Sequence, residues 1–147
     1  MVVASDTRVA DELAIRNLVA RVAQLADMGP DLDVYATLFT EDATWEFPGS
    51  GRQDLPPVVR AGRAEIVADR QERRSTGFQG PGTNTRHVVT TLAVAVDGSE
   101  TASAQSYWLY FVNTTTAPAV GSMGHYHDTL VRTPEGWKVG RRKITVG

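Results

Sequence analysis

Apolar side chains recur every three or four residues between positions 15 and 25, which is the spacing of one buried face of a helix. Asp6 precedes this pattern as a candidate N-cap, and the pair Gly29-Pro30 interrupts it. The pattern therefore predicts a long first helix over residues 6–28, preceded by a short flexible segment.

Two shorter helices and one strand are predicted next. Asp31 is the expected N-cap of a short second helix, and the charged segment 62–75 predicts a third. Trp45 and Phe47 alternate with polar residues, which is typical of a strand with one buried face. Segment 48–60, rich in proline and glycine, is expected to form a loop near the mouth of any pocket.

The rest of the chain alternates between apolar and polar positions in long runs separated by short turns. Asp97-Gly98 and Pro134-Glu135-Gly136 are strong turn signals. Helices followed by a meander of strands indicate the α+β class, with helices packed on one face of a mixed or antiparallel sheet. A single domain over residues 1–147, with residues 1–5 as its flexible start, is predicted.

Composition and charge narrow the function classes. The chain has 147 residues, 41% of them hydrophobic, with a formal net charge of −2. This balance gives no electrostatic case for nucleic-acid binding. The absence of cysteine excludes disulfides, thiolate catalysis and cysteine-ligated zinc. No signal-like or membrane-length apolar run is present, so a cytoplasmic protein without a membrane partner is expected.

His87 and Asp27 are the residues best suited to chemistry. A histidine with a pKa near neutrality can take up and return a proton at physiological pH, although a lone histidine can also be simply hydrogen-bonded in a sheet. Asp27 lies at the end of the first helix, where a carboxylate is unfavourable for the helix dipole unless it has a partner. Asp31 and Asp33 are nearby rivals, and an ordinary helix-end role for Asp27 stays open.

The order of several segments resembles the SnoaL-like branch of the nuclear transport factor two superfamily, which includes polyketide cyclases, scytalone dehydratase, lindane dehydrochlorinase and bile-acid dehydratase. The resemblance spans about residues 11–146 and is carried by AIRNLVARVAQLAD, YATLFTEDATWEF, GRAEI, TRHVVTTLAVAVDG and GHYHDTLVRTPEGWKV. It implies a strongly curved sheet wrapped around the long first helix as a cone-shaped α+β barrel, with an apolar internal pocket. It also implies that Asp27 and His87 face each other as a catalytic dyad.

The resemblance implies further residues that bind substrate. Trp45 and Phe47 are expected to form a pocket wall, with plain core packing as the alternative. Tyr107 is expected to face the cavity together with Leu109 and Phe111, although one bulge would reverse that parity. Tyr126 is expected to polarise a carbonyl. Arg142 is expected to stabilise negative charge, with a solvated strand end as the alternative.

The opposite face of the sheet is expected to carry Arg86, Trp108, Tyr110, His125 and His127 and to form the interface of a homodimer or homotrimer. The two histidines have metal-like spacing, but no third ligand is apparent on that face, so no metal and no cofactor are expected.

Three function classes remain open. The first is a cofactor-independent dehydratase, isomerase or cyclase that uses the His–Asp dyad to move a proton on a small hydrophobic carbonyl or hydroxyl compound of polyketide, steroid or terpenoid type. The second is a non-catalytic ligand-binding or structural subunit, such as the small subunit of a ring-hydroxylating dioxygenase. The third, an epoxide hydrolase of the limonene type, fits His87 less well.

Overall fold

The computed structural model describes residues 2–49 and 56–147, with side chains from residue 6 onward. The helices are α1 (Val2–Met28), α2 (Asp33–Thr37) and α3 (Arg63–Ser75). The strands are β1 (Phe39–Phe47), β2 (Val58–Ala61), β3 (Arg86–Asp97), β4 (Thr101–Val112), β5 (Ala119–Thr133) and β6 (Gly136–Val146).

The helix and loop predictions hold with local corrections. Helix α1 begins at Val2, so Asp6 lies inside the helix and is not its N-cap, and residue 1 lies outside the described part. The N-cap of α2 is Leu32 and not the predicted Asp31, although the Asp31 Oδ1 accepts the backbone N–H of Asp33 at 3.0 Å. Part of the predicted loop 48–60 is strand β2, and residues 50–55 of that loop lie outside the described residues.

The six strands form one curved mixed sheet in the order β2-β1-β6-β5-β4-β3. Only β1 and β6 run parallel, and the other neighbours pair antiparallel. Helix α1 packs against the sheet through β3 and β6. The predicted α+β cone is thus confirmed, but the sheet does not close into a barrel, because β2 and β3 are its edges in the described part of the chain.

The apolar core lies between α1 and the concave face of the sheet. The stripe that predicted α1 is the face that is buried, and it packs with residues of α2, β1 and the β5–β6 hairpin. Its buried members are Ile15, Leu18, Val19, Val22 and Leu25, in contact with a cluster that includes Tyr35, Phe39, Leu130 and Val139. Each large apolar side chain buried there contributes about 1.5–3 kcal/mol relative to exposure.

A bulge in β3 lets one strand point two sets of residues inward. The pairing with β4 shifts between Thr90 and Ala93, and Thr91 has a φ of 52°, which is rare for a β-branched residue. Before the bulge His87 faces inward, and after it Leu92 and the following even-numbered residues do. Without the extra residue, either His87 or this apolar stripe would face solvent.

Asp11 fastens α1 to the β5–β6 hairpin. Its Oδ1 accepts the indole N–H of Trp137 at 3.0 Å, and its Oδ2 accepts a guanidinium N–H of Arg132 at 2.6 Å. The guanidinium of Arg132 also lies 4.5 Å from the centre of the Trp137 ring. One carboxylate therefore satisfies two donors that come from two different strands.

We expect Asp11→Ala to lower the free energy of unfolding by about 1–3 kcal/mol, because it leaves the Trp137 indole N–H without its acceptor. The neighbouring Glu12→Ala is the matched control and is expected to change stability by less than about 0.5 kcal/mol, since Glu12 forms only a 3.8 Å surface pair with Arg8. Urea denaturation of both variants measures the difference. Equal stabilities would contradict the anchoring role of Asp11.

Candidate active site

His87 and Asp27 lie together in the interior, as predicted. The Asp27 carboxylate accepts two hydrogen bonds from the same residue: Oδ1 is 2.7 Å from His87 Nδ1, and Oδ2 is 2.7 Å from the His87 backbone nitrogen. The Asp27 side chain is 1% exposed and the His87 side chain 11%. The two bonds fix both the position of strand β3 and the orientation of the imidazole ring.

The end of α1 is held in place from a second direction. An Arg74 guanidinium N–H donates to the backbone carbonyls of Leu25 at 2.9 Å and Ala26 at 3.4 Å. These carbonyls belong to the last turn of α1, where carbonyls lack partners within the helix. Asp31 and Asp33, the rivals of Asp27, are both exposed. The structure therefore selects Asp27 as the partner of His87.

Burial lowers the pKa of His87 below its ordinary value of 6.5. The hydrogen bond and charge of Asp27 act in the opposite direction, while the nearby positive charges of Arg70 and Arg142 lower the pKa further. The ring is therefore neutral near pH 7. With Nδ1 donating to Asp27, the other nitrogen, Nε2, carries the lone pair and is able to accept a proton.

Sheet register brings three further interior residues into one row. Arg142 on β6 lies beside Trp45 on β1 and beside Asp128 on β5. The guanidinium of Arg142 donates to both carboxylate oxygens of Asp128, from Nε at 2.8 Å and from an Nη at 2.7 Å. Both side chains are at most 2% exposed, so the positive charge of Arg142 is already compensated by a buried partner.

Tyr126 lies against this ion pair. The guanidinium carbon of Arg142 is 3.9 Å from the centre of the Tyr126 ring, and Trp108 stacks on the same ring at 6.0 Å. Burial raises the pKa of Tyr126 to about 12, so its hydroxyl is a protonated donor at neutral pH. The predicted inward orientation of Tyr126 and Arg142 is confirmed, and their roles toward a substrate stay predictions.

Trp45 and Phe47 also lie on the inner side. The centre of the Trp45 ring lies 5.6 Å from the guanidinium carbons of both Arg70 and Arg142. Phe47 packs against a buried cluster that contains Tyr126. The predicted pocket wall thus consists of aromatic rings in contact with guanidinium groups. Two arginines and an aspartate are buried in the same interior region, so the surroundings of the dyad are not purely apolar.

Tyr107 does not lie where the sequence predicted. It is 44% exposed on the outer face, where its ring lies 4.8 Å from His125. It lines a surface cavity of about 300 Å³ that also includes Thr91 and His127. The predicted inward orientation of Tyr107, Leu109 and Phe111 is wrong, because β4 points its even-numbered residues inward. Tyr110, and not Tyr107, is the residue of β4 paired with His87.

The same reversal moves Trp108 and Tyr110 from the predicted outer face into the interior. Tyr110 lies 4.9 Å from the His87 ring, and its hydroxyl donates to the Phe78 carbonyl at 3.0 Å. Trp108 lies across Gly124, where a Cβ would be only 2.9 Å from the indole and 1.9 Å from the Thr145 carbonyl oxygen. Gly124 is therefore required by close packing. His125 and His127 do lie outside, and the homo-oligomer stays a prediction.

Sequence reasoning missed Arg70 and Tyr35, two buried interior residues close to each other. Arg70 is 4% exposed and Tyr35 is 0% exposed. A signal for Arg70 was available: it lies four residues after the buried Ile66, so it falls on the buried face of α3 despite its charge.

In residues 2–49 and 56–147, no three histidine, aspartate or glutamate side chains converge in a way that could hold a metal ion. Within the same ranges, none of the helices is long and apolar enough to cross a membrane.

The fold and the interior dyad define a small α+β cone protein of the nuclear transport factor two-like class. A protein of this class with a cystatin-like fold from Novosphingobium aromaticivorans superposes with a TM-score of 0.83 at 25% identity, covering 99% of this chain and 87% of that one. Rv3472 from Mycobacterium tuberculosis, a protein of unknown function, superposes with a TM-score of 0.78 at 24% identity, covering 97% of this chain and 75% of that one. A candidate scytalone dehydratase from Novosphingobium aromaticivorans superposes with a TM-score of 0.76 at 23% identity, covering 97% of this chain and 88% of that one.

Residues 7–143 match the SnoaL-like domain, so the chain belongs to the SnoaL-like family. No curated protein matches the chain in sequence.

We expect NMR titration to give His87 a pKa below 6.5, and Asp27→Asn to lower it further by removing the carboxylate that favours the imidazolium. Because the pKa of the folded state is depressed, the neutral ring contributes stability above pH 6.5 that is lost as pH falls through the folded-state pKa. Loss of one signal in His87→Gln assigns the resonance. A pKa at or above 6.5, or a rise in Asp27→Asn, would contradict the described balance of burial and charge.

Proposed function

We propose that this protein is a cofactor-independent enzyme in which neutral His87 removes a proton from a small hydrophobic substrate, next to a carbonyl or a leaving hydroxyl. The observation that carries the proposal is the clamp between Asp27 and His87, with Nδ1 bonded to a buried carboxylate. A base of this kind needs a fixed tautomer with a free lone pair and a neutral ring at working pH.

The proposed reaction begins with transfer of a C–H proton to His87 Nε2. The electron pair of that bond moves toward the carbonyl, whose oxygen gains negative charge, and the charge of Asp27 stabilises the imidazolium that forms. Tyr126 is a suitable donor to the oxygen because its hydroxyl stays protonated. The imidazolium then returns the proton, either to a departing hydroxyl, which leaves as water, or to another carbon. The first route is a dehydration and the second an isomerisation.

Family membership supports the proposal at the level of the fold. The candidate scytalone dehydratase shares the cone at 23% identity. A candidate aromatic ring hydroxylase from the same organism shares it at 26% identity with a TM-score of 0.65. The second is described as acting on an aromatic ring, in line with the aromatic side chains of Trp45, Phe47 and Tyr126 on the inner side of the sheet.

We expect purified protein to catalyse exchange of the α-hydrogen in D₂O, with or without loss of water, for at least one member of a panel of hydrophobic β-hydroxyketones with and without a carboxylate group. His87→Gln is expected to lower the rate by about 10²–10⁴-fold, because it removes the base. NMR of the substrate measures both exchange and elimination. Asp27→Asn is expected to lower the rate as well, since it releases the ring from its fixed orientation.

His127→Gln is the matched control, because His127 is exposed on the outer face of the sheet, and its rate is expected to equal that of the unchanged protein. A folded His87→Gln protein with full activity would contradict the proposal. The absence of exchange across the whole panel would also count against it and would favour a ligand-binding or structural role.

A further inference from the structure

Arg70 is a buried cation without an ion-pair partner among the described residues. Among the described residues, Arg70 forms no ion pair, and its one hydrogen bond runs from an Nη to the neutral amide oxygen of Gln79 at 2.5 Å. Its Nε is buried without any hydrogen-bond partner in that part of the chain. Asp69, the next residue along α3, accepts instead from Arg60 and Arg73. A buried donor and charge left in this state are costly to the folded protein.

A second buried donor lies beside Arg70. The Tyr35 hydroxyl has no hydrogen-bond partner among the described residues, although Tyr35 is 0% exposed. The guanidinium carbon of Arg70 lies 5.7 Å from the Tyr35 ring and 5.6 Å from the Trp45 ring. The guanidinium is therefore held by aromatic rings, with an unsatisfied N–H and an unsatisfied O–H close together.

This pair of donors belongs to the same interior region as the dyad. The charge of Arg70 lowers the pKa of His87, after the larger effect of burial, so the two side chains lie within electrostatic range of each other. The other buried guanidinium in contact with Trp45, that of Arg142, is neutralised by Asp128. Among the described residues, Arg70 is therefore the buried guanidinium near His87 that no carboxylate binds directly, while Asp27 and Asp128 bind His87 and Arg142.

We propose that Arg70 and Tyr35 form a subsite for a carboxylate group of the substrate, so that the enzyme acts on hydrophobic acids rather than on neutral compounds. The inference rests on the proposed function for the reaction, but the binding chemistry is independent of it. A carboxylate has two oxygens, which match one guanidinium N–H and one hydroxyl, and its single charge would supply the ion-pair partner that Arg70 lacks among the described residues. A phosphate, with more charge and more acceptors, fits this donor set less well.

Carboxylate binding at this subsite also favours the base. A bound anion offsets the positive charge of Arg70, and that charge is one of the causes that lower the His87 pKa. The pKa of His87 is therefore expected to rise when the acid binds, which makes Nε2 a stronger proton acceptor in the complex than in the free protein.

The test compares binding of 2-naphthoate and its neutral isostere 2-naphthamide by isothermal titration calorimetry. We expect the unchanged protein to bind naphthoate at least about tenfold more tightly than naphthamide. Arg70→Met is expected to weaken naphthoate binding by about tenfold or more and to leave naphthamide binding nearly unchanged. Tyr35→Phe is expected to cause a smaller loss in the same direction.

Arg63→Met is the matched control, because Arg63 lies on the same helix and forms a 3.7 Å pair with the exposed Glu41 and a 3.5 Å hydrogen bond to the Phe39 carbonyl. Its affinities are expected to equal those of the unchanged protein. Arg70→Met is also expected to raise the thermal unfolding midpoint, since it replaces a buried cation without an ion-pair partner among the described residues by an apolar side chain of similar length. If Arg70→Met does not fold, Tyr35→Phe carries the test.

Several outcomes would overturn the subsite. They are equal affinity for the two probes, no naphthoate binding at all, or naphthoate binding that neither Arg70→Met nor Tyr35→Phe weakens. His87→Gln separates this inference from the proposed function, because it is expected to keep naphthoate affinity within about twofold while losing proton abstraction. If the His87→Gln protein keeps its exchange activity and still binds naphthoate more tightly than naphthamide, the proposed function is contradicted and the subsite is not.

Discussion

The bidentate contact between the Asp27 carboxylate and His87 is the interaction on which the rest of the site depends. It joins the last turn of α1 to the beginning of β3 through a backbone N–H and a ring N–H, each at 2.7 Å. The bulge at Thr91 allows His87 to point inward while the later part of the strand still covers the core. The same contact sets the tautomer, so one carboxylate links the geometry of the fold to the chemistry of the ring.

Charge is distributed unequally around that contact. The charge of Arg142 is neutralised by Asp128 in a buried ion pair, and the rings of Tyr126 and Trp45 pack against the Arg142 guanidinium. Arg70 has no such partner among the described residues, and its Nε is buried without an acceptor. Proteins retain costly buried groups of this kind mainly where function requires them, which is why this cation and not Arg142 carries the inference about substrate charge.

The sequence predicted the features that depend on local pattern. Helical spacing identified the buried face of α1, and the helix-dipole cost at Asp27 pointed to a partner, which is His87. The face presented by β4 could not be predicted, because one bulge reverses the parity and the sequence does not mark it; Tyr107 and Tyr110 consequently exchanged sides. Arg70 was missed because its charge suggested a solvated helix face, although its spacing from Ile66 placed it on the buried one.

The protonation state of His87 in the folded protein tests the central claim most directly. A long-range ¹H–¹⁵N correlation spectrum near neutral pH distinguishes the two neutral tautomers from the imidazolium. The account predicts a neutral ring with the proton on Nδ1, bonded to Asp27, and an unprotonated Nε2. An imidazolium at that pH, or a neutral ring with the proton on Nε2, would contradict the role of His87 as a base oriented by Asp27.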